Sequence, residues 1–540
     1  MTAASATHND PRIPGPAQCV IRDLLDFRAK ERPDATYAVF ENGERWTYRE
    51  LLEKVKATAE ALQRLGVKHG DRVLVWLLTG PTCLKVWFAI NYLGATFVPI
   101  NTAYKGRLLE HVVRNSGAKV GIVHAQLAGR LNDIDTCSLQ TLVCMLGEPE
   151  PVRGCTVLAE HALAGDGAKL RPPERPVAPW DEHAIIFTSG TTGPSKGVIM
   201  SYTHIYSTGE GFWYLDETDR MLVNLPMFHI GGTLFCHMAL VRGGSIAMVE
   251  AFQTDKFWPT IKTLGVTFLY LLGVMASFVM KREDTGDEKN SPLRHFGAIP
   301  LSEEAIAFGE RYGCTAYSVF NMTEVSCPLV TQADPKVPNT CGRPRQGVEA
   351  RIVDDNDCEV ARGETGELVL RTDRPWAMNS GYNGDAEATA RAWRNGWFHT
   401  GDGFRQDQDG NFFFVDRIKD AIRRRGENIS SMEVEADILM HPAIREAAVV
   451  AARSDISEDE VLAAISFAPG RSVEPAELIE FLKPRMPHFM IPRYIRILDN
   501  LPRTPTQKVQ KHLIRADGVT ADTWDREKAG IIIKRDKLNA

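Results

Sequence analysis

The sequence predicts an α/β protein in two parts: a large N-terminal domain of mixed, mostly parallel sheets with a β-rich subdomain, then a small α+β C-terminal domain. Three observations carry that prediction. Apolar runs of strand length recur between helix-length segments through the first half of the chain, the alternation that builds parallel sheets covered on both faces. From about residue 340 the pattern changes to short strands separated by Gly, Asp and Asn turns. At 540 residues and 60.1 kDa, the chain also exceeds what one hydrophobic core supports.

A polar arm to about residue 18 precedes a helix-like segment. FENGERWTYRE then sets Asn42-Gly43 between strand-like flanks, a hairpin signal because both residues tolerate the backbone of a tight turn. RVLVWLL, Arg72 to Leu78, is a continuous apolar run, the mark of a strand buried on both faces. A helix-like stretch through KVWFAINYLG leads to ATFVPI, and KVGIVHA, HAIIFTS, RMLVNLP, GSIAMVE and VTFLYLL repeat the pattern. The most apolar window, Gly265 to Met280, is too short to span a bilayer and contains Thr, Tyr, Gly and Ser, so it reads as buried strand plus helix. In the subdomain at about 340–415, GVEARIVDD, GETGELVLR, NGWFHTGD and GNFFFVDR read as strands. Beyond Asp420 come a helix (SMEVEADILMH), two strands (REAAVVAA, EVLAAISFAP) and a helix (EPAELIEFLKPRM). The boundary falls in DRIKD, giving domains over 19–418 and 419–520 and a charged tail over 521–540.

The 44% hydrophobic and 24% charged content is that of an ordinary soluble globular protein and excludes a disordered or fibrous chain. Lys plus Arg number 63 against 69 Asp plus Glu, a net charge of −6 with pI near 6.2. Such a balance gives no electrostatic reason to expect nucleic acid or an anionic membrane as partner. Ten cysteines without a Cys-x-x-Cys pair suggest neither a disulfide framework nor a zinc site, and reduced thiols imply a cytoplasmic protein. The N-terminal residues lack the basic and apolar regions of a secretory signal.

The chemistry concentrates in IIFTSGTTGPSKGV, Ile185 to Val198. An apolar strand runs into Thr188, Ser189, Gly190, Thr191, Thr192 and Gly193, then Lys196 and Gly197. Glycines let backbone approach an anion, hydroxyls donate to phosphate oxygens, and a lysine adds a mobile positive charge. The spacing from Gly190 to Lys196, with no Ser or Thr after the lysine, separates this loop from the Gly-x-x-x-x-Gly-Lys-Ser/Thr loop of P-loop NTPases.

TSGTTGPSKGV resembles the phosphate-binding signature of the adenylate-forming enzymes, which include acyl-CoA synthetases, firefly luciferases and nonribosomal peptide adenylation domains. Further segments match in order: LPMFHIGG (Leu225–Gly232), NMTE (Asn321–Glu324), GWFHTGD (Gly396–Asp402), DRIKD followed by GENIS, and LPRTPTQKVQK (Leu501–Lys511). The resemblance spans about residues 20 to 515. Judged from TTGPSKG, MTEV and RRRGENIS, it is most similar to acyl-CoA ligases of the crotonobetaine/carnitine-CoA ligase type.

The resemblance implies a two-step reaction. A carboxylic acid attacks the α-phosphate of Mg-ATP, giving acyl-adenylate and pyrophosphate. The C-terminal domain, mobile in this family, then rotates, and the coenzyme A thiol displaces AMP. The implied catalytic residues are Lys508, Thr323, Glu324 and His229. Thr188, Ser189, Gly190, Thr191, Thr192 and Lys196 would hold the β- and γ-phosphates; Thr323 would touch the α-phosphate and Glu324 would hold Mg²⁺, a hard cation that takes carboxylate and phosphate oxygens. Phe320 would stack on adenine, with Ala298, Ile299, Asn321, Met322 and Phe414 around the nucleotide. Asp402 would accept both ribose hydroxyls, with Arg417 assisting at ribose and phosphate. Lys419 stands at the hinge, and Gly426 and Glu427 would face coenzyme A. His229, Gly232, Tyr317 and Val319 would line the acyl pocket, whose apolar character fits an aliphatic, aromatic or polycyclic acid.

Four positions depart from the family pattern. Ile299 stands where Ala is usual, Gln507 replaces the Gly before Lys508, and Val319 and Asn321 flank Phe320 where Gly is usual. Ile299 and Gln507 leave one alternative to the full acyl-CoA ligase, a thioesterification-only ligase using preformed acyl-adenylate; an adenylating enzyme that loads a carrier protein is the other. The expected partners are a small carboxylic acid, ATP/AMP with Mg²⁺, and coenzyme A, without nucleic acid or a transmembrane segment. A homodimer is one expectation for assembly.

Overall fold

This computed structural model describes residues 9–533, apart from 105, 137, 189–194, 251–252, 273–274, 283–285, 287, 418–421, 425–426, 430, 454–458, 487, 489 and 504–508. The chain divides into two compact units, Met1–Ala350 with Leu370–Phe398, and Arg351–Val369 with His399–Ala540. The predicted α/β architecture of large mostly parallel sheets and a smaller α+β domain is what the chain adopts.

The first unit contains two large sheets built on one plan. In spatial order, one comprises Thr156–Leu158, Thr141–Met145, Val120–His124, Arg72–Trp76, Thr96–Pro99, Glu182–Thr188 and Lys196–Ser201. The other comprises Thr315–Tyr317, His295–Ile299, Phe268–Leu272, Arg220–Val223, Ser245–Met248, Thr36–Phe40 and Arg45–Thr47. Within each, all neighbours are parallel until a single antiparallel hairpin closes one edge. The continuous apolar runs become interior strands because both faces are covered; Val120–His124 and Ser245–Met248 are buried at every position. The Asn42-Gly43 turn closes the second sheet's hairpin: Gly43 takes φ +86° and the Glu44 N–H donates to Asn42 Oδ1 at 2.9 Å.

The helix Tyr48–Arg64 starts from a capping box between Thr47 and Glu50, and with Pro81–Tyr92, Tyr202–Glu210 and Ile230–Arg242 it supplies the main core. Trp87 stacks on Phe97 with ring centroids 5.3 Å apart. The window Gly265–Met280 resolves into the strand Phe268–Leu272 and the helix Met275–Met280. No helix among the described residues is long and apolar enough to cross a membrane.

In the second unit, Asp402 to Gln406 pairs antiparallel with Phe412 to Arg417. Farther along, the strands Ile444–Arg453, Asp459–Phe467, Tyr494–Ile497 and Trp524–Asp525 form a sheet with the helices Ser431–Leu439 and Pro475–Leu482. Its core includes Ile422 and Ile429, from the two arms of the short hairpin Ile422–Arg424/Glu427–Ile429. The strand Trp524–Asp525 falls within the stretch read from sequence as a charged tail.

Three histidines lie wholly inside the first unit: His183, His204 and His237. Burial disfavours the imidazolium, pushing His204 down to about 3 and His237 down to about 4, and holding His183 well below its ordinary value, with the other two rings adding to the effect. The unfolded chain protonates such rings near pH ~6.5, so it binds more protons than the native state below that pH. The native state therefore keeps its full stability above pH ~6.5 and loses about 1.4 kcal/mol per pH unit for each ring as pH falls toward the native values. Urea midpoints measured at pH 7.5 and pH 5 are expected to fall steeply between the two. An unchanged midpoint would mean that these rings carry protons in the folded protein.

Candidate functional site

The edge hairpin of the first sheet pairs Thr188 with Lys196. These residues frame the mouth of the predicted phosphate loop, whose Ser189, Gly190, Thr191 and Thr192 lie outside the described residues. The mouth is pinned by short bonds. Ser195 Oγ donates to the Thr188 carbonyl at 2.7 Å, and His111 Nε2 lies 2.7 Å from the Ser195 carbonyl.

Segment 379–383 runs antiparallel to Lys196–Ser201: the Ile199 N–H donates to the Gly381 carbonyl at 3.0 Å and the Asn383 N–H to the Gly197 carbonyl at 2.7 Å. This pairing sets Tyr382 beside Lys196. The ammonium lies 4.7 Å from the centroid of the phenol ring, within cation–π range. On its other side, Tyr382 Oη donates to Glu324 Oε1 at 3.1 Å. Burial and the neighbouring Glu324 carboxylate raise the phenol far above its ordinary value, so it stays a hydrogen-bond donor.

Glu324 is buried, and the backbone around it is fixed from two directions. The Asn379 N–H and side-chain amide both donate to the Glu324 carbonyl at 2.9 Å. Two residues on, Ser326 takes the left-handed value φ +59°, and its N–H donates to His204 Nε2 at 3.2 Å. Arg345 reaches the same turn, donating to the Cys327 carbonyl at 2.8 Å, and both Arg345 and Arg374 pair with Glu210.

Parallel strands end on the same side, and this gathers the acyl and adenine candidates along one edge of the second sheet. His229 caps the helix Ile230–Arg242 from the segment after Arg220–Val223 and is half-buried beside Phe228. Gly232 is needed for packing: a Cβ there would lie 2.3 Å from the Pro226 carbonyl oxygen. Ala298 is buried on His295–Ile299, and Ile299 ends that strand with its side chain against the main core. Gly297 lets the Tyr270 ring lie across the strand, since a Cβ would come within 2.6 Å of it. Tyr317 stacks on Tyr214 at 3.5 Å between centroids. Val319 and Phe320 are buried; Asn321, Met322 and Thr323 are half-buried.

In the second unit, Asp402 is buried and stands opposite Arg417 in register, while Phe414 meets Phe404 edge-on at 5.6 Å. Glu367 fixes the turn that carries Asp402: its oxygens lie 2.8 Å from His399 Nδ1 and accept from the Gly401 N–H at 2.9 Å. Glu427 stands opposite Arg424 in the short hairpin. Lys419, Gly426, Gln507 and Lys508 lie outside the described residues.

Residues 25–382 match the AMP-binding enzyme family and residues 433–508 match the AMP-binding enzyme C-terminal domain. The chain belongs to the AMP-binding enzyme family. This AMP-binding enzyme is 30% identical over 507 residues to a crotonobetaine/carnitine–CoA ligase of Salmonella paratyphi A, covering 91% of this chain and 98% of the relative. Its fold matches an anthranilate CoA ligase in complex with anthranoyl-AMP (TM-score 0.81, 24% identity, 93% and 97% of the two chains). It also matches an o-succinylbenzoate coenzyme A synthetase from Bacillus subtilis in complex with ATP and magnesium ion (TM-score 0.77, 22% identity, 91% and 98%).

Motif reasoning did not single out Tyr382, Glu367 or the Glu210–Arg345–Arg374 group in this AMP-binding enzyme. Each works through a partner distant in sequence, and none carries a local pattern; the sequence offers only an aromatic residue in GYN for Tyr382. Tyr382→Phe removes the donor to a buried carboxylate while keeping the ring, and is expected to cost about 1.5–3 kcal/mol of stability. Tyr382→Leu also removes the cation–π contact and should cost roughly 1 kcal/mol more. Chemical denaturation of the two variants beside wild type checks the order. Equal stability of wild type and Tyr382→Phe would show that the hydroxyl does not compensate Glu324.

Proposed function

We propose that this AMP-binding enzyme is an AMP-forming acyl-CoA ligase: it couples a carboxylic acid to AMP from ATP with release of pyrophosphate, then passes the acyl group to the thiol of coenzyme A. The observation that carries the reading is the pair of opposite charges on Tyr382, the Lys196 ammonium over its ring and the Glu324 carboxylate on its hydroxyl, at the mouth of a loop rich in glycine and hydroxyls. An ammonium suits polyphosphate oxygens and a carboxylate suits a hard cation, so the two together match a nucleotide that arrives with its metal. The CoA ligase related over nearly its whole length, and the adenylate and ATP–magnesium complexes of similar fold, support the same reading.

The residues present fit Mg²⁺. Among the described residues no group of three or more His, Cys, Asp or Glu could hold a metal ion, and one buried carboxylate completed by phosphate oxygens is a common Mg²⁺ environment. When bound, the ion draws charge from the phosphate oxygens and eases departure of pyrophosphate.

Lys196, Thr188 and the loop hydroxyls hold the β- and γ-phosphates, and Thr323 donates at the α-phosphate. Phe320 supplies the face for adenine, and Asp402 accepts from the ribose hydroxyls with Arg417 beside it in register. His229 orients the acid. Lys508 offsets the negative charge that gathers as the acid's oxygen attacks the α-phosphorus. Lys419 is the hinge, and Gly426 and Glu427 face coenzyme A. Aromatic rings crowd the predicted acyl elements: Tyr317 stacks on Tyr214, and Phe235 stacks on Tyr270 at 5.7 Å. With apolar residues on these elements, an aryl acid is the substrate class proposed, to be compared with crotonobetaine and a medium-chain fatty acid. The nine described cysteines are free thiols, most of them buried, which supports a reducing, cytoplasmic setting. The thioesterification-only and carrier-loading alternatives have no specific observation in their favour.

Lys508→Ala separates the two half-reactions. Losing one preorganised cation at the developing charge is expected to slow acid-dependent pyrophosphate release by about 100- to 1,000-fold. Thioester formation from supplied acyl-adenylate should continue, because that step does not use Lys508. Equal losses in both steps would contradict the assigned role.

A further inference from the structure

The matched C-terminal family domain stops at residue 508, and the segment that follows it is ordered against the small sheet. After the helix Lys511–Asp517, the strand Trp524–Asp525 pairs antiparallel with Tyr494–Ile497 at the edge of the small sheet. The following turn is closed by the Ala529 N–H to the Asp525 carbonyl and the Ile531 N–H to the Arg526 carbonyl, both at 3.0 Å. Trp524, Ile531 and Ile533 pack against the core cluster that contains Ile422 and Ile429.

A line of charges runs from this segment to the hairpin Ile422–Arg424/Glu427–Ile429. Arg493 reaches Asp525 with two nitrogens, Nε to Oδ1 and Nη2 to Oδ2, each at 3.4 Å. Its third nitrogen lies 3.8 Å from Glu460 and 3.5 Å from Glu527. Glu460 in turn lies 2.7 Å from Arg424 Nε, on the hairpin arm opposite Glu427. Arg424, Glu460, Asp525 and Arg526 are each less than 8% exposed, at 4%, 3%, 7% and 3%. Ions so deeply buried are a poor source of stability, because loss of hydration offsets their attraction and apolar side chains of similar volume do as well. What a guanidinium fork adds is direction.

We propose that the segment 524–533 is a strap that fixes the hairpin Ile422–Arg424/Glu427–Ile429 through the line Asp525–Arg493–Glu460–Arg424, and so sets how the hairpin meets coenzyme A. Asp525 and Glu460 are positioning residues. The inference rests on the reading of this hairpin as the coenzyme A-facing element.

The test uses the full-length chain and the variants Asp525→Asn, Glu460→Gln and the double variant Arg424→Met with Glu460→Met. Hydrogen exchange of the hairpin amides is followed by mass spectrometry. KM for coenzyme A is measured with supplied benzoyl-adenylate, and pyrophosphate release is measured with benzoate and ATP. Asp525→Asn and Glu460→Gln are expected to exchange hairpin amides at least 10-fold faster and to raise KM for coenzyme A at least 10-fold, with pyrophosphate release within 3-fold of wild type. The double variant is expected to recover wild-type melting temperature while KM stays raised, which a purely stabilising network would not do. Unchanged hairpin exchange in both single variants, or recovery of KM in the double variant, would overturn the strap. Faster exchange with an unmoved KM would instead overturn the hairpin's assignment to coenzyme A, and with it the functional half of the inference.

Discussion

A carboxylate removed from water costs several kcal/mol unless something answers its charge, and Glu324 is removed from water. The surrounding part of the large unit is arranged to answer it. Tyr382 donates to the carboxylate and turns its ring toward the Lys196 ammonium. Asn379 takes the Glu324 carbonyl, His204 takes the N–H of the left-handed Ser326, and Arg345 ties the next carbonyl back to Glu210. The result is a carboxylate and an ammonium held on two sides of one phenol.

Sheet geometry explains why so many candidates come from so few places. Parallel strands deliver the segments after Arg220–Val223, His295–Ile299 and Thr315–Tyr317 to one edge, and the antiparallel hairpin of the other large sheet brings Thr188 opposite Lys196. Each of the two large sheets is parallel up to a closing hairpin, one turning through Asn42-Gly43 and the other carrying the predicted phosphate loop. The first turn is a local consequence of residues that accept positive φ. The second begins and ends in side-chain bonds from Ser195 and His111.

Much of this was legible in the sequence, for reasons that can be named. Interior parallel strands must be apolar on both faces, so RVLVWLL, KVGIVHA and GSIAMVE announce themselves as unbroken runs. The chemistry-bearing motifs are local too, and each keeps its residues within a few positions. What escaped reading depends on partners far apart: Tyr382 on Glu324, Arg345 on Glu210, Arg493 on Asp525. Gly232, read as a pocket residue, also has the Pro226 carbonyl where a side chain would begin, a contact the sequence does not show. Trp524–Asp525 has no periodicity to read because it is only an edge pairing two residues long. Ile299, read as a change in the nucleotide site, also packs against the main core, a contact no local motif announces.

The central claim is that the acid's own oxygen attacks the α-phosphorus of ATP. Turnover of an aryl acid labelled in both carboxylate oxygens with oxygen-18, with unlabelled ATP and coenzyme A, tests it most directly. The account predicts AMP carrying a single oxygen-18 atom and pyrophosphate carrying none, as read by mass spectrometry of the products. Label in pyrophosphate or orthophosphate, with unlabelled AMP, would contradict it.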